Sequence, residues 1–314
     1  MVAIGSTISA FWILVANSWQ QTPAGYVIRN GRAELVDFWA AVFNPSTLVR
    51  FHHTFDAALI SGAFLMAGIA AYLILKKKET EIAKKALKVA VIFGLVVSLL
   101  EVFPFGDLHS KQVARTQPEK FAAQQGLFET QAGAPLSLFG IPSANPPELK
   151  MHIAIPKLLS LLTYNDPNAT VKGLKEFPQS EWPPLFLTFT SYHLMVALGI
   201  LFILIMGISV FYLYRKTLFE KKFLLKVLMW AIPLPLLACQ FGWIAAEVGR
   251  QPWIVYKLMK TTEAASQNVN AGEILFSIIL FGIIYLLLGS IFLFMLIRKI
   301  KAGPEPVKAK EVAL

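Results

Sequence analysis

Residues 223–253 read FLLKVLMWAIPLPLLACQFGWIAAEVGRQPW, an apolar run from Phe223 to Ala246 that closes on GWIAAEVGRQPW, Gly242–Trp253. Taken as a membrane helix, the run puts Trp243, Glu247 and Arg250 at i, i+4 and i+7, on one face. Pro252 lacks an N–H and disfavours helix at the residue before it, so the helix is expected to stop near Arg250–Gln251. An aromatic ring, a carboxylate and a guanidinium then form one stripe at a membrane boundary. Two readings fit. One is an interfacial belt in which Trp anchors and Glu pairs with Arg. The other is a functional site, the default for an ionisable residue at that depth.

Composition fixes the class. The 314 residues are 56% hydrophobic and 15% charged, with a mean hydropathy of +0.58, far outside the soluble range. The single Cys239 lies in an apolar run, so no disulfide framework or Cys-based metal site is available. A net charge of +10 invites a nucleic-acid reading. The basic residues cluster at the ends of apolar runs instead, as membrane topology requires, and no nucleic-acid motif accompanies them. With no Lys or Arg before Arg29 and no cleavage pattern, the N-terminus is not expected to be a secretory signal.

Six spans are expected. Residues 1–19 form the first, rich in Gly5, Ser6, Thr7, Ser9, Asn17 and Ser18, as suits a helix packed among others in a larger bundle. After a polar connection (20–47) with turn residues at Asn30-Gly31 and Asn44-Pro45, the second runs about Leu48–Leu75 and the third about Ala83–Phe103. A long proline-rich segment, 104–185, holds no apolar run long enough to cross. The fourth, fifth and sixth spans are about Phe186–Tyr214, Phe223–Ala246 and Ile274–Ile297. Each is long enough for about 30 Å of hydrocarbon. Lys and Arg concentrate in the two short loops and the C-terminal tail, which places those and both termini on the cytoplasmic side, with 104–185 outside.

Two further groups of residues could carry chemistry. His53 sits near the outer end of the second span. A lone His is usually a buried, hydrogen-bonded residue, but in a membrane helix with few polar groups a ligand role gains weight. Asp56, three residues on, falls near the same face and could orient His53, carry a proton, or form a salt bridge to a neighbour. On the fourth span, His193 and Met195 are two residues apart and point about 200° from each other, so only one can face His53.

GWIAAEVGRQPW resembles the signature near the C-terminus of subunit I of cytochrome bd-type quinol oxidases. In that family the Glu is an axial ligand of the high-spin haem b, the Trp lies beside the haems, and the Gly-Arg-Gln-Pro-Trp run lines the pocket. The resemblance implies those roles for Glu247, Trp243, Arg250, Gln251 and Trp253. Two other segments agree. FNPSTLVRFHHTFDAALISGAF, 43–64, resembles the segment whose His before Thr ligates the low-spin haem b, which implies His53, with Gly62 and Ala63 allowing close approach of a macrocycle or helix. TSYHLMVALG, 190–199, resembles the segment whose Met completes that haem, which implies Met195. Both residues lie on inward-running helices, about 7 and 13 Å from the expected span starts, so one haem can bridge them. A His53/His193 pair stays open as the alternative; His/Met gives the higher potential.

GDLHSKQVARTQPEKFAAQQGLFETQAGAPLSLFGIP, 106–142, with PPELKMHIAIPKLLS and KGLKEFP after it, resembles the family's quinol loop. A Lys there and a Glu five residues later are implicated in quinol oxidation. Lys120 fits the Lys, but the Glu position is Gln125, which cannot accept a proton at useful pH; Glu119 or Glu129 could substitute. The family's subunit I also has a longer N-terminal part with more spans; either a separate chain supplies those helices, or the sequence is a piece of a longer chain, or the oxygen-reducing site has been lost, and a subunit II is expected alongside.

The expectation is therefore an all-α integral membrane protein, a haem-binding bundle of about six transmembrane helices with a long extracytoplasmic quinol loop. Its organisation is 1–103, three spans; 104–185, the quinol loop; 186–301, three spans; 302–314, a cytoplasmic tail. It would sit in a prokaryotic cytoplasmic membrane, among lipid. Electrons would pass from quinol through a low-spin haem b to a high-spin haem b and haem d, reducing oxygen to water. The alternatives are an electron-transfer cytochrome b or a haem-poor structural paralogue. A transporter is disfavoured, since no pair of interrupted spans occupies equivalent halves.

Overall fold

The computed structural model describes residues 1–266 and 268–303, so all but the first two residues of the expected 302–314 tail lie outside it. Six helices among the described residues are long and apolar enough to cross a membrane. The first is α1, Val2–Gln21, of which only Leu14, Ser18 and Gln21 are buried. Strands β1 (Tyr26–Arg29) and β2 (Arg32–Leu35) follow as a hairpin. Its tip is Asn30-Gly31, both with positive φ, the backbone that a tight hairpin turn needs. The short α2 (Phe38–Val42) is capped by the Asp37 carboxylate, which accepts from the Ala40 N–H at 2.9 Å.

The second span is α3, Thr47–Leu75. The third departs from expectation. It runs from Thr80 to Thr116 without interruption, as α4 (Thr80–Leu100), a π-helical turn (Glu101–Gly106) and α5 (Asp107–Thr116), well past the predicted end at Phe103. Pro104 would normally end an α-helix because its ring meets the carbonyl four residues back. The wider π turn moves that carbonyl aside. A side chain at Gly106 would begin 2.8 Å from the Glu101 carbonyl oxygen, so only glycine lets the turn close.

The rest of the outer segment is folded. Helix α6 (Pro118–Gln125) is buried from Glu119 onward and ends at Gly126, whose left-handed φ of 64° accommodates the cap. Then come β3 (Gln131–Ala132), β4 (Leu136–Ala144), β5 (Pro147–Ile155), α7 (Leu158–Tyr164) and β6 (Thr170–Val171). Strands β4 and β5 form an antiparallel hairpin; β3 pairs with β6.

Helix α8, Leu185–Tyr214, is the fourth span. The fifth was expected as one rod. It breaks at Ala231–Pro233 into α9 (Lys222–Trp230) and α10 (Leu234–Glu247), because Pro233 and Pro235 cannot donate inside a helix but are tolerated at the start of one. A 3₁₀ turn, Val248–Arg250, ends the span as expected. Strands β7 (Trp253–Val255) and β8 (Met259–Lys260) lead to α11, Ala271–Ala302, which has no buried residue.

The core lies between α3, α4, α8 and α9: Phe64, Ala67, Ala71, Leu87, Val91, Met206, Leu225 and Leu228 are all sealed. Small residues set the helix spacing. A side chain at Gly68 would start 2.9 Å from the Leu228 carbonyl oxygen and would also run into Ile232, at the break between α9 and α10. Gly68→Ala is therefore expected to destabilise by about 1–3 kcal/mol, read as a lowered thermal midpoint of the purified protein.

Candidate functional site

The end of α10 meets α1, α3 and α6 in a buried polar cluster. Glu247 Oε2 pairs with Arg250 Nη2 at 2.6 Å, and Oε1 accepts from Asn17 Nδ2 at 2.9 Å and Gln21 Nε2 at 3.4 Å. Arg250 Nη1 donates to Gln20 Oε1 at 2.9 Å, and Arg50 Nη2 donates to Asn17 Oδ1 at 2.6 Å. The Glu–Arg pairing of the interfacial-belt reading is present, but Arg250 is 7% exposed and also held by α1. Trp243 is the outermost member, 37% exposed. Gln251 accepts from the Thr261 hydroxyl at 2.7 Å, and the Trp253 ring lies under Lys257 and Lys260.

Lys120 reaches this cluster from the outer segment. Its Nζ donates to Ala246 O at 2.9 Å and Gln21 Oε1 at 3.0 Å, so the loop lysine touches the residue before Glu247. Burial pulls its amine well below the ordinary lysine range; Arg50 pushes the same way and Glu247 opposes. Three cations (Arg50, Lys120, Arg250) thus surround one carboxylate. Arg50 Nε, Arg250 Nε and Gln117 Nε2 remain sealed without hydrogen-bond partners, and donors in such a place suit an anion.

Among the family-loop positions, Gln125 is buried with its Oε1 unpartnered. Neither carboxylate considered as its substitute is free. Both Glu119 oxygens accept from the Tyr256 hydroxyl at 2.9 Å, and Lys257 lies 3.2 Å from one of them. Burial and the Glu119 charge push the Tyr256 phenol above its ordinary value. Burial lowers Lys257, but its bond to Glu181 and its contact with Glu119 outweigh that and raise it. Glu129 is exposed and pairs with Lys175.

His53 and Met195 stand in the N-terminal parts of α3 and α8. His53 Nδ1 lies 3.1 Å from Glu101 Oε1 but makes no hydrogen bond in that geometry. The His109 ring packs edge-on at 5.0 Å. Met195 Sδ rests against α10 at Gly242, where a Cβ would come within 3.0 Å of the sulfur. His193 is engaged at both ring nitrogens, Nδ1 at 2.9 Å from Phe189 O and Nε2 at 2.8 Å from Ser137 O, tying β4 to α8. A neutral imidazole can donate to only one of these carbonyls, but both ring nitrogens are turned onto the backbone. Gly62 faces open space, whereas Ala63 packs toward Gly94 of α4, so the close approach there is helix to helix.

Sequence reasoning passed over Asn17, Gln20, Gln21, Arg50, Glu101 and His109. The signal was present for Arg50 and Glu101, which are charged residues inside apolar runs. Glu101, not Asp56, lies against His53, and Asp56, 3% exposed, stands beside Glu101.

A family model described as cytochrome bd terminal oxidase subunit I matches residues 1–304. The chain belongs to that family. It is 40% identical over 316 residues to the cytochrome bd ubiquinol oxidase subunit 1 of Bacillus subtilis (strain 168), a match covering 97% of this chain and 67% of that protein. A putative cytochrome bd menaquinol oxidase subunit I of the same organism is 38% identical over 310 residues, covering 96% and 68%. The solved structure of the bd oxidase from Geobacillus thermodenitrificans superposes with a TM-score of 0.88 at 34% identity, covering 96% of this chain and 69% of that one. The family and the multi-helix membrane fold expected from the sequence are borne out. The chain spans about two-thirds of these relatives, and nothing in the likenesses supports a separate chain that supplies further helices.

Proposed function

We propose that this chain is part of a membrane quinol:oxygen oxidoreductase of the cytochrome bd type. The observation that carries the reading is the bond from Lys120, in the quinol-loop segment, to Ala246 O beside Glu247. It joins the segment expected to meet quinol directly to the carboxylate expected to meet a haem. The residues fit such groups. His53 has a buried ring nitrogen without a hydrogen bond, Met195 offers a thioether on a glycine floor, and Glu247 receives three donors, leaving room on a carboxylate with about four acceptor positions.

In this reading His53 and Met195 hold a low-spin haem b, and Glu247 holds a high-spin haem b with Trp243, Arg250, Gln251 and Trp253 around it. Bound haems b and haem d supply one-electron transfer from quinol and the reduction of oxygen to water. The chain's own part is to hold and orient. Arg250, Asn17 and Gln21 fix the Glu247 carboxylate; Arg50 adds positive charge beside it; Lys120 presents an amine of lowered proton affinity to a quinol hydroxyl. The Lys78 Nζ bond to Lys301 O, 2.8 Å, supports placing the 76–78 loop and the end of α11 on one side, the cytoplasmic one by charge. Both termini would then be cytoplasmic in a prokaryotic cell membrane, with 104–185 outside and a subunit II alongside. Reduced-minus-oxidised spectra of the purified complex test this: absence of a haem d band would sink the oxygen-reducing role.

One observation favours a second reading, an electron-transfer cytochrome or haem-poor paralogue with weak quinol chemistry. Gln125 replaces the proton-accepting Glu, and Glu119 and Glu129 are both engaged elsewhere. Gln125→Glu is then expected to raise quinol-dependent oxygen consumption roughly tenfold or more. No change would count against a proton-acceptor role at this position.

A further inference from the structure

The third span carries a carboxylate that none of the roles above uses. Glu101 opens the π turn between α4 and α5 and has a side chain only 12% exposed. A carboxylate at such a depth is costly unless something compensates it. Among the described residues its one ionic partner is His53, whose Nδ1 is 3.1 Å from Oε1, and the Asp56 carboxyl group stands beside it. The turn itself aims it. On a uniform α-helix, residues eight apart differ by about 80° around the axis, which would separate Glu101 from His109. The wider π turn reduces that angle, so Glu101 and His109 both reach His53, one at Nδ1 and one edge-on to the ring.

We infer that Glu101 is a positioning residue for the low-spin haem site: standing 3.1 Å from His53 Nδ1, its carboxyl group is placed to receive the Nδ1–H once the ring turns to ligate through Nε2, which would fix the tautomer. This rests on the reading of His53 as an iron ligand. A histidine that binds a metal usually donates its other N–H to a carboxylate or carbonyl, which orients the ring and makes it a stronger donor. Here the carboxylate comes from a different helix, so ligand orientation depends on α4 and α5 keeping their phase across Pro104. Asp56, which the sequence offers for the task, stands on α3 itself and faces Glu101.

The test uses the whole membrane complex, wild type beside Glu101→Leu and Glu101→Gln, read by the EPR g values and the midpoint potential of the low-spin haem. A stronger donor favours the ferric state, so losing the carboxylate is expected to raise the midpoint. With roughly a tenfold change for an outer-shell partner, the shift is about 59 mV for one electron. Glu101→Leu should also move the g values, because the ring loses its orienting acceptor. Glu101→Gln keeps an acceptor oxygen without the charge, so it should restore g values toward wild type while leaving the midpoint raised. Should the Leu variant fail to assemble, the raised midpoint of the near-isosteric Gln variant decides alone. A wild-type low-spin signal that neither substitution moves overturns this inference. A wild-type complex with no low-spin b-type signal overturns the haem reading beneath it, and the inference with it.

Discussion

Met195→Leu is expected to abolish the low-spin b-type spectrum of the complex, or convert it to high spin, while the protein still assembles. Leucine matches methionine closely in volume, and such swaps in packed interiors usually cost less than about 1.5 kcal/mol. What it lacks is the thioether lone pair. Met195 Sδ lies on the Gly242 floor, where any larger residue would displace it, so the sulfur has a fixed seat that Leu fills without coordinating. The paired variant His193→Ala should leave the spectrum in place. Both His193 nitrogens already meet carbonyl oxygens, of Phe189 and Ser137, so its loss should loosen the β4–β5 hairpin from α8 and remove no ligand. Reduced-minus-oxidised spectra of both variants separate the cases. An unchanged spectrum for Met195→Leu, with loss in His193→Ala, would mean that two histidines hold the haem.

Much of this was legible because membrane helices announce themselves by hydropathy, and because Trp243, Glu247 and Arg250 share a face by arithmetic alone. The Glu247–Arg250 pair at 2.6 Å is the contact that i, i+3 spacing makes available. What the chain order concealed were contacts across helices. Nothing in the run around Asn17 says that it faces Glu247, because that pairing is a product of how α1 crosses α10. The third span was misjudged for a definite physical reason. The apolar run gives out after Phe103, and the π turn that carries the helix past Pro104 depends on Gly106 admitting the Glu101 carbonyl, a condition no periodicity reveals. The fifth span shows the opposite error: hydropathy is continuous through Ala231–Pro233 while the backbone is not. Glu101 was lost with that misread boundary, because a carboxylate two residues from an expected helix end looks like an interfacial charge. Once the helix continues to Thr116, the same residue is internal and needs a partner.

Lys120→Met should lower quinol-dependent oxygen consumption by roughly 10²-fold or more, while oxygen consumption driven by an artificial donor that bypasses quinol stays near wild type. The amine is sealed from solvent, and its low proton affinity keeps a useful fraction neutral nearer to physiological pH than a free lysine would be. Two effects act together in this variant. The proton-handling group disappears, and Gln21 Oε1 and Ala246 O lose the donor that ties α6 to the end of α10. Lys120→Arg should not restore turnover, although it keeps a cation. The lysine stem is already tight against Gly249, where a Cβ would come 3.2 Å from Lys120 Cε, so the broader guanidinium has no room to reach the same acceptors. The pH profile adds a readout that packing damage alone would not produce. Because the amine's proton affinity is lowered, the wild-type quinol rate should climb with pH through a range below the ordinary lysine value, as the neutral amine forms. That limb should vanish in Lys120→Met. A variant that keeps both the rate and the limb would detach Lys120 from quinol chemistry and leave it as a strut between the outer segment and the membrane bundle.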